Sequence, residues 1–176
     1  MSTPVSSSTA LPVAHVVLRI LIVLNWLGGA AILALLVVVM PNERWIMFAF
    51  QLSPSPEAAR LVMGLRAIAV LGLGAIPVNY VVLKRLAAIV ETVRGGDPFV
   101  ATNALRLRAV AWALLALQLL SLVIAAIAKV VSTPAHPVDL DAGFSINGWL
   151  AVLLTFLLAR VFAEGTRMRE DLEGTV

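Results

Sequence analysis

The sequence predicts an all-α integral membrane protein, a four-helix bundle that spans the bilayer. Of its 176 residues, 61% are hydrophobic and 13% are charged, whereas a soluble domain is about half apolar and about a quarter charged. Four unbroken apolar runs each approach the ~20 residues with which a helix crosses the bilayer, and a membrane barrel would instead show alternating segments of ~10 residues. Four spans with their loops use all of residues 1–176, so we expect one membrane domain and no separate soluble catalytic domain.

The predicted spans lie at about 16–40, 61–83, 109–131 and 144–162. The first is preceded by 15 residues without Lys or Arg. It is also longer than the ~7–15 apolar residues of a signal peptide, so we predict a retained span rather than a cleaved leader.

The segment between the first two spans is predicted to lie along the membrane surface. Its aromatic residues Trp45, Phe48 and Phe50 are typical of the interfacial belt. Ser55 and Pro56 predict the start of the second helix, as its N-cap and its first helical residue.

Basic residues predict the orientation of the spans. Nine of the thirteen flank one side of the four runs, three flank the other, and Arg66 lies inside the second run. Because basic residues stay cytoplasmic, we expect both termini to face the cytoplasm. Eleven arginines against two lysines, with abundant Ala, Val and Leu, suggest a bacterial source, so we expect the protein in the inner (plasma) membrane. The same residues meet anionic lipid head groups, so the net charge of +3 does not indicate direct nucleic-acid binding.

Arg66 is the one basic residue well inside a predicted span, and ionisable groups there are functional candidates. Its side chain could snorkel to the surface or pair with Glu57, Asp139 or Asp141. The alternative is a site for an anion or a lipid head group between helices.

Three amide side chains, Asn25, Asn79 and Gln118, also fall inside the predicted spans. Asn25 and Gln118 each lie nine residues into a span that starts on the inside, so similar depths are expected, ~13 Å in. We favour hydrogen bonding between helices over a substrate site. Glycines in the first two spans permit close helix approach, which leaves a homo-oligomer open.

Residues that carry chemistry are scarce. The chain has no cysteine, no Asp or Glu in the core of a span, and no recognisable catalytic or nucleotide-binding motif. Its two histidines, His15 and His136, are expected on opposite sides of the bilayer. A cation could bind His136, Asp139 and Asp141, but a solvated loop explains them equally. We predict no enzyme activity, no cofactor and no metal.

The cytoplasmic segments carry most of the informative polar residues. The second helix is expected to continue beyond the membrane to Gly95-Gly96, with Asp97-Pro98 as the N-cap and first-turn proline of the next helix. The resulting hairpin, 84–108, has a net charge of +3, and the tail, 164–176, has side chains summing to −2. We expect the tail and the hairpin to dock on each other or to clamp a partner between them. A solvated tail is the alternative, because exposed ion pairs are weak.

The motifs Asp97-Pro98-Phe99, Asn103 and Arg106-Leu107-Arg108, together with Phe162, Gly165 and Arg169-Glu170-Asp171-Leu172, resemble a bacterial family of small four-span membrane proteins of unknown function. Members of that family are often encoded beside a small helix-turn-helix regulator. The resemblance therefore implies a membrane protein that sequesters such a regulator or senses for it. It implies no catalytic residues.

These observations predict a non-enzymatic protein that binds a cytoplasmic partner, with a small helix-turn-helix transcriptional regulator as the expected partner. The residues predicted to contact it are Asp97, Phe99, Asn103, Arg106, Arg108, Arg169, Glu170 and Asp171. The main alternative is a small transporter or channel subunit for an anionic solute, in which Arg66 and the amides line the path. A lipid-handling or assembly factor is a third, favoured if Arg66 binds a head group.

Overall fold

The computed structural model describes residues 10–39, 41–49, 53, 55–134, 137–138 and 140–173. Its helices, in chain order, are α1 (Ala10–Ala34), which a π-helical turn (Leu35–Val39) continues, α2 (Glu43–Ala49), α3 (Pro56–Arg94), α4 (Ala101–Val131) and α5 (Ile146–Glu173). Four of them are long and apolar enough to cross a membrane. This agrees with the four spans that the sequence predicts.

The long helices pack in the order of the chain. α1 packs on α3, α3 on α4 and α4 on α5, whereas α1 and α5 do not pack along each other. Buried Val82, Val110 and Ala113 form the α3–α4 contact in one half of the bundle. In the other half, a Cβ at Gly64 would overlap Cγ1 of Val131. The bundle is therefore built on the α3–α4 pair and stays open between its first and last helices.

The connection from α1 to α3 carries the short helix α2. Ile46 of α2 is 1% exposed and packs with Val62 of α3, while Trp45 and Phe48 are exposed. The third interfacial aromatic expected here, Phe50, lies outside the described residues. The predicted start of α3 is confirmed, because Pro56 is its first residue and Oγ of Ser55 accepts a 3.1 Å hydrogen bond from the backbone N–H of Ala58.

The connection from α3 to α4 differs from the prediction in one respect. α3 continues to Arg94 and ends at Gly95 as expected, and Gly96 takes a left-handed φ of 83°. However, α4 begins at Ala101 with Val100 as its N-cap, so the prediction of Asp97 as the N-cap is wrong. Residues 97–100 form an extended connection instead. We call the end of the bundle that holds this connection the hairpin end, and the opposite end the loop end.

The fourth long helix lies in an unexpected register. Its Gly148 faces the middle of α4, because a Cβ there would overlap the amide of Gln118. Further along, Phe156 packs edge-to-face on Trp112 with ring centroids 5.4 Å apart. Just before the helix begins, the backbone N–H of Gly143 donates a 2.9 Å hydrogen bond to Oγ of Ser121.

This register means that the α4–α5 loop descends along α4 before α5 begins. Ser121 lies ten residues before the end of α4 at Val131, so Gly143 is held ~15 Å below that end. The span predicted at 144–162 is helical only from Ile146. α5 therefore starts near the middle of α4, and the loop, not a helix, lies beside the last ten residues of α4.

Candidate functional site

The hairpin end is organised around Asn103, whose side chain is 0% exposed. Its Nδ2 donates hydrogen bonds to Oγ1 of Thr92 at 2.7 Å and to the carbonyl of Pro98 at 2.9 Å. Its Oδ1 accepts one from Nη1 of Arg106 at 2.8 Å. One buried amide therefore joins the end of α3, the extended connection and the first turns of α4.

Arg106 closes the same network. Besides its bond to Asn103, its Nη1 donates to the carbonyl of Ala88 on α3 at 3.1 Å. Hydrogen bonds from a charged donor are about twice as strong as neutral ones, so Arg106 fastens α4 to α3. Both residues were expected at the partner surface. In the structure Asn103 is buried, and Arg106 is half-buried and bonds within the hairpin.

The extended connection docks on the end of α5. Nη1 of Arg169 donates a hydrogen bond to Oδ1 of Asp97 at 2.5 Å, and the rings of Phe99 and Phe162 lie 5.4 Å apart between centroids. Gly165 makes room for this contact, since a Cβ there would lie 3.3 Å from Cδ1 of Phe99.

The hairpin and the tail are therefore in contact, as one of the two open alternatives predicted. The sign of the ion pair is the reverse of the one expected. The acid belongs to the basic hairpin, and the base belongs to the acidic tail. Asp171 is exposed and has an interaction of its own, while the side chain of Glu170 lies outside the described residues.

Several side chains of the hairpin and the tail are exposed. Leu105 is 67% exposed, Met168 57% and Phe99 45%, and the guanidinium-bearing residues Arg108 and Arg167 are exposed as well. Leu105 and Arg108 are three positions apart on α4, so they share a helix face. We call these five residues the hairpin surface. It combines apolar side chains with fixed positive charge.

The start of α1 also reaches the hairpin end, through a contact that the sequence did not predict. Nδ1 of His15 lies 3.5 Å from Oε2 of Glu91, and the same carboxylate oxygen accepts a 3.2 Å hydrogen bond from Arg94. The apolar run of α1 gives no sign of which helix it packs against, so no local signal could have identified this pair.

The intramembrane amides divide into two places. Nδ2 of Asn79 donates to Oδ1 of Asn25 at 2.9 Å, and Nδ2 of Asn25 donates to the carbonyl of Ile76 at 3.1 Å. These bonds join α1 to α3. Gln118 is not part of this group, because it packs over Gly148 between α4 and α5. Arg66 is half-buried on α3 and has an interaction partner.

The loop end contains a partly open cavity of about 410 Å³. Its lining is apolar apart from Asp141 and comes from α1, α3, α4 and the descending loop: Ile32, Leu35, Leu65, Ile68, Ala69, Gly72, Ile124, Leu140, Asp141 and Ala142. The other two members of the candidate cation cluster, His136 and Asp139, lie outside the described residues. Within the part of the chain that the structure describes, no group of three or more His, Asp or Glu side chains lies together.

A family model described as "Protein of unknown function (DUF2975)" matches residues 40–176, a range that includes α2 to α5, the hairpin and the tail. No curated protein and no solved structure matches the chain.

Proposed function

The chain belongs to the DUF2975 family, and on that premise we propose that it is a non-enzymatic membrane protein that holds a cytoplasmic protein partner at its hairpin end. The partner class that we propose is a small helix-turn-helix transcriptional regulator. That class comes from the resemblance of the hairpin and tail motifs to four-span proteins often encoded beside such regulators.

The observation that carries the proposal is the docking of residues 97–100 on the end of α5. The contact includes a half-exposed ion pair, Asp97 with Arg169, and the aromatic pair of Phe99 with Phe162. An exposed ion pair contributes only ~0–1 kcal/mol, so a protein that offers its own charges and apolar side chains can compete for these groups. The connection is therefore docked on α5 by contacts that a partner protein can replace.

The hairpin surface supplies the groups that a protein partner would contact. Arg108 and Arg167 offer charge-assisted hydrogen bonds to carboxylates, and Phe99, Leu105 and Met168 offer apolar area of the kind that anchors interfaces. The hydrogen bonds of Asn103 and Arg106 fix the hairpin that carries part of this surface. Of the residues predicted to bind the partner, Phe99 and Arg108 keep that role in the proposal. Asp97 and Arg169 form the ion pair for which a partner can compete. Asn103 and Arg106 stabilise the hairpin, which carries all of these side chains except that of Arg169.

The orientation of the site is part of the proposal. Nine basic residues lie toward the hairpin end of the spans and three toward the loop end. Since basic flanks remain cytoplasmic, we place the hairpin surface and both termini in the cytoplasm, where a transcriptional regulator is found. Retention at the membrane would keep such a regulator from its DNA.

The proposal predicts that a small helix-turn-helix regulator is encoded beside the gene for this chain, and it is tested by measuring the binding of that regulator to the full chain in lipid nanodiscs. We expect Arg108→Glu to weaken binding at least tenfold, because the substitution reverses one of the two positive charges of the hairpin surface. The matched control is Arg44→Glu, an equally exposed arginine at the loop end, which should leave binding unchanged. Failure of the unaltered chain to bind the regulator, or equal effects of the two substitutions, would contradict the proposal.

The alternative of a channel subunit for an anionic solute receives less support. The amides Asn25 and Asn79 bond to each other, and the cavity at the loop end has a carboxylate as its one ionisable lining group. A negative charge there disfavours an anion.

A further inference from the structure

The cavity at the loop end contains a carboxylate at a depth where the sequence predicted none. The four apolar runs lack Asp and Glu in their cores, but Asp141 is carried inward by the loop and lines the same cavity as Ile124. Ile124 lies seven residues before the end of α4 at Val131, which places this level ~10 Å below that end. Carboxylates at such depth are costly and mark functional sites.

Asp141 makes no ion pair with any of the described residues. The ion pairs of Glu91 with Arg94 and of Asp97 with Arg169 lie at the hairpin end, away from this cavity. Asp141 is exposed to the cavity, and the remaining lining groups are aliphatic side chains, alanines and Gly72. A bound cation would therefore find one fixed negative charge and a wall of hydrocarbon.

We propose that this cavity binds a lipophilic amine, with its ammonium group at Asp141 and its apolar body against α1, α3 and α4. The volume of about 410 Å³ lies within the ~300–1,000 Å³ of small-molecule sites. The charge of Asp141 selects a cation, and the aliphatic wall selects an apolar body. This site is separate from the hairpin surface and does not depend on the function proposed for it.

The loop segment that carries Asp141 is anchored to α4 by a hydrogen bond to Ser121. The Oγ of Ser121 accepts from the backbone N–H of Gly143 at 2.9 Å, and Gly143 has a φ of +123°, which non-glycine residues rarely adopt. These two residues fix the loop two positions from the carboxylate. Ser121 is thus a positioning residue for the site, and Ser121→Ala should weaken amine binding without removing the charge.

The test measures binding of dansylcadaverine, a fluorescent lipophilic amine, to the full chain in nanodiscs, with protein-free nanodiscs as the background. Its N-acetylated form is the matched neutral probe. We expect saturable binding of the amine and at least tenfold weaker binding of the neutral form. Asp141→Asn, which keeps the shape of the side chain, should weaken binding of the amine at least tenfold and leave that of the neutral form unchanged.

Two glycines of α3 provide a second, independent test of the location. Gly72 lines the cavity and a Cβ there would have only Ile32 Cδ1 nearby, at 3.8 Å, whereas a Cβ at Gly74 would meet nothing within 4 Å. Gly72→Leu should fill the cavity and abolish binding of the amine, and Gly74→Leu should leave it intact. Equal binding of the two probes with no effect of Asp141→Asn would overturn the proposal in favour of an unselective acyl-chain groove. Lack of saturable binding, or equal effects of the two leucine substitutions, would overturn it as well.

Discussion

The guanidinium of Arg169 donates a 2.5 Å hydrogen bond to the carboxylate of Asp97, a residue 72 positions earlier in the chain. The pair joins the extended α3–α4 connection to the end of the last helix. The contact of Phe99 with Phe162 lies beside it on the same two segments. Two segments that are far apart in sequence thus form one surface, on which the proposed partner site depends.

Breaking this ion pair should loosen the connection without unfolding the bundle. Arg169→Glu places two carboxylates together, and the loss of ~1 kcal/mol expected for an exposed pair corresponds to about fivefold faster amide exchange. Hydrogen-exchange mass spectrometry of residues 96–100 measures the effect. The charge swap Asp97→Arg with Arg169→Glu should restore protection, and Arg167→Glu, two residues away, is the matched control. Unchanged exchange in Arg169→Glu would show that the ion pair does not hold the connection.

The sequence identified this region but not its internal contacts. Opposite net charges predicted contact between hairpin and tail, whereas the pair that forms has the reverse sign because net charge does not specify which individual side chains meet. Asp97 before Pro98 matches the pattern of an N-cap, but the amide of Asn103 takes the Pro98 carbonyl and the helix begins at Ala101. Tertiary contacts determine both the sign of this ion pair and the start of α4, and such contacts cannot be derived from a single sequence.

Asn103 should be the most sensitive polar residue of the hairpin. Asn103→Leu has similar volume but removes the bonds to Thr92, Pro98 and Arg106, and it takes a hydrogen-bond partner from each of these half-buried groups. At ~1–3 kcal/mol for each unsatisfied group, with partial relaxation, we expect a loss of about 2–4 kcal/mol. Thermal or denaturant unfolding in detergent measures it. Leu105→Ala, two residues further along α4 and largely exposed, should change stability by less than ~0.5 kcal/mol. Similar losses in both variants would contradict the structural role of Asn103.

The amide pair between α1 and α3 should make a moderate contribution to stability. Asn25→Leu removes its bonds to Asn79 and to the Ile76 carbonyl, and hydrogen bonds between membrane helices average ~0.6 kcal/mol with a maximum near 2. We expect a loss in that range. Thr155→Val is the control, since Thr155 bonds only to the Ala151 carbonyl of its own helix.

The double variant Asn25→Leu with Asn79→Leu separates pairing from burial. Its loss should be smaller than the sum of the two single losses, because neither amide is then left without its partner. Strict additivity would show that the two amides do not stabilise each other in the membrane.

Hydropathy predicted the number of long apolar helices, but it could not predict the register of α5. The run from Phe144 to Phe162 is long and apolar enough to cross the bilayer, so composition alone gives no reason to place its first residues below the surface. That placement results from packing of Gly148 on Gln118 and from the bond between Gly143 and Ser121. Glycine and serine occur in many structural contexts, so Gly143, Gly148 and Ser121 form no sequence motif that would have predicted these contacts.

The descending loop makes a prediction that distinguishes this register from a surface loop. Pro137 adjoins Val138, whose N–H donates to Ser132 just beyond the end of α4, whereas Phe144 adjoins Gly143 beside Ser121, ~15 Å lower.

Because the chain has no cysteine, Pro137→Cys and Phe144→Cys can be labelled singly in nanodiscs with a membrane-impermeant maleimide. Both positions are exposed on the protein, but a thiol within the hydrocarbon stays protonated and out of reach of the reagent. We expect Phe144→Cys to react at least tenfold more slowly than Pro137→Cys, with equal rates after denaturation. Equal rates in the nanodiscs would place Phe144 at the surface and contradict the descending loop.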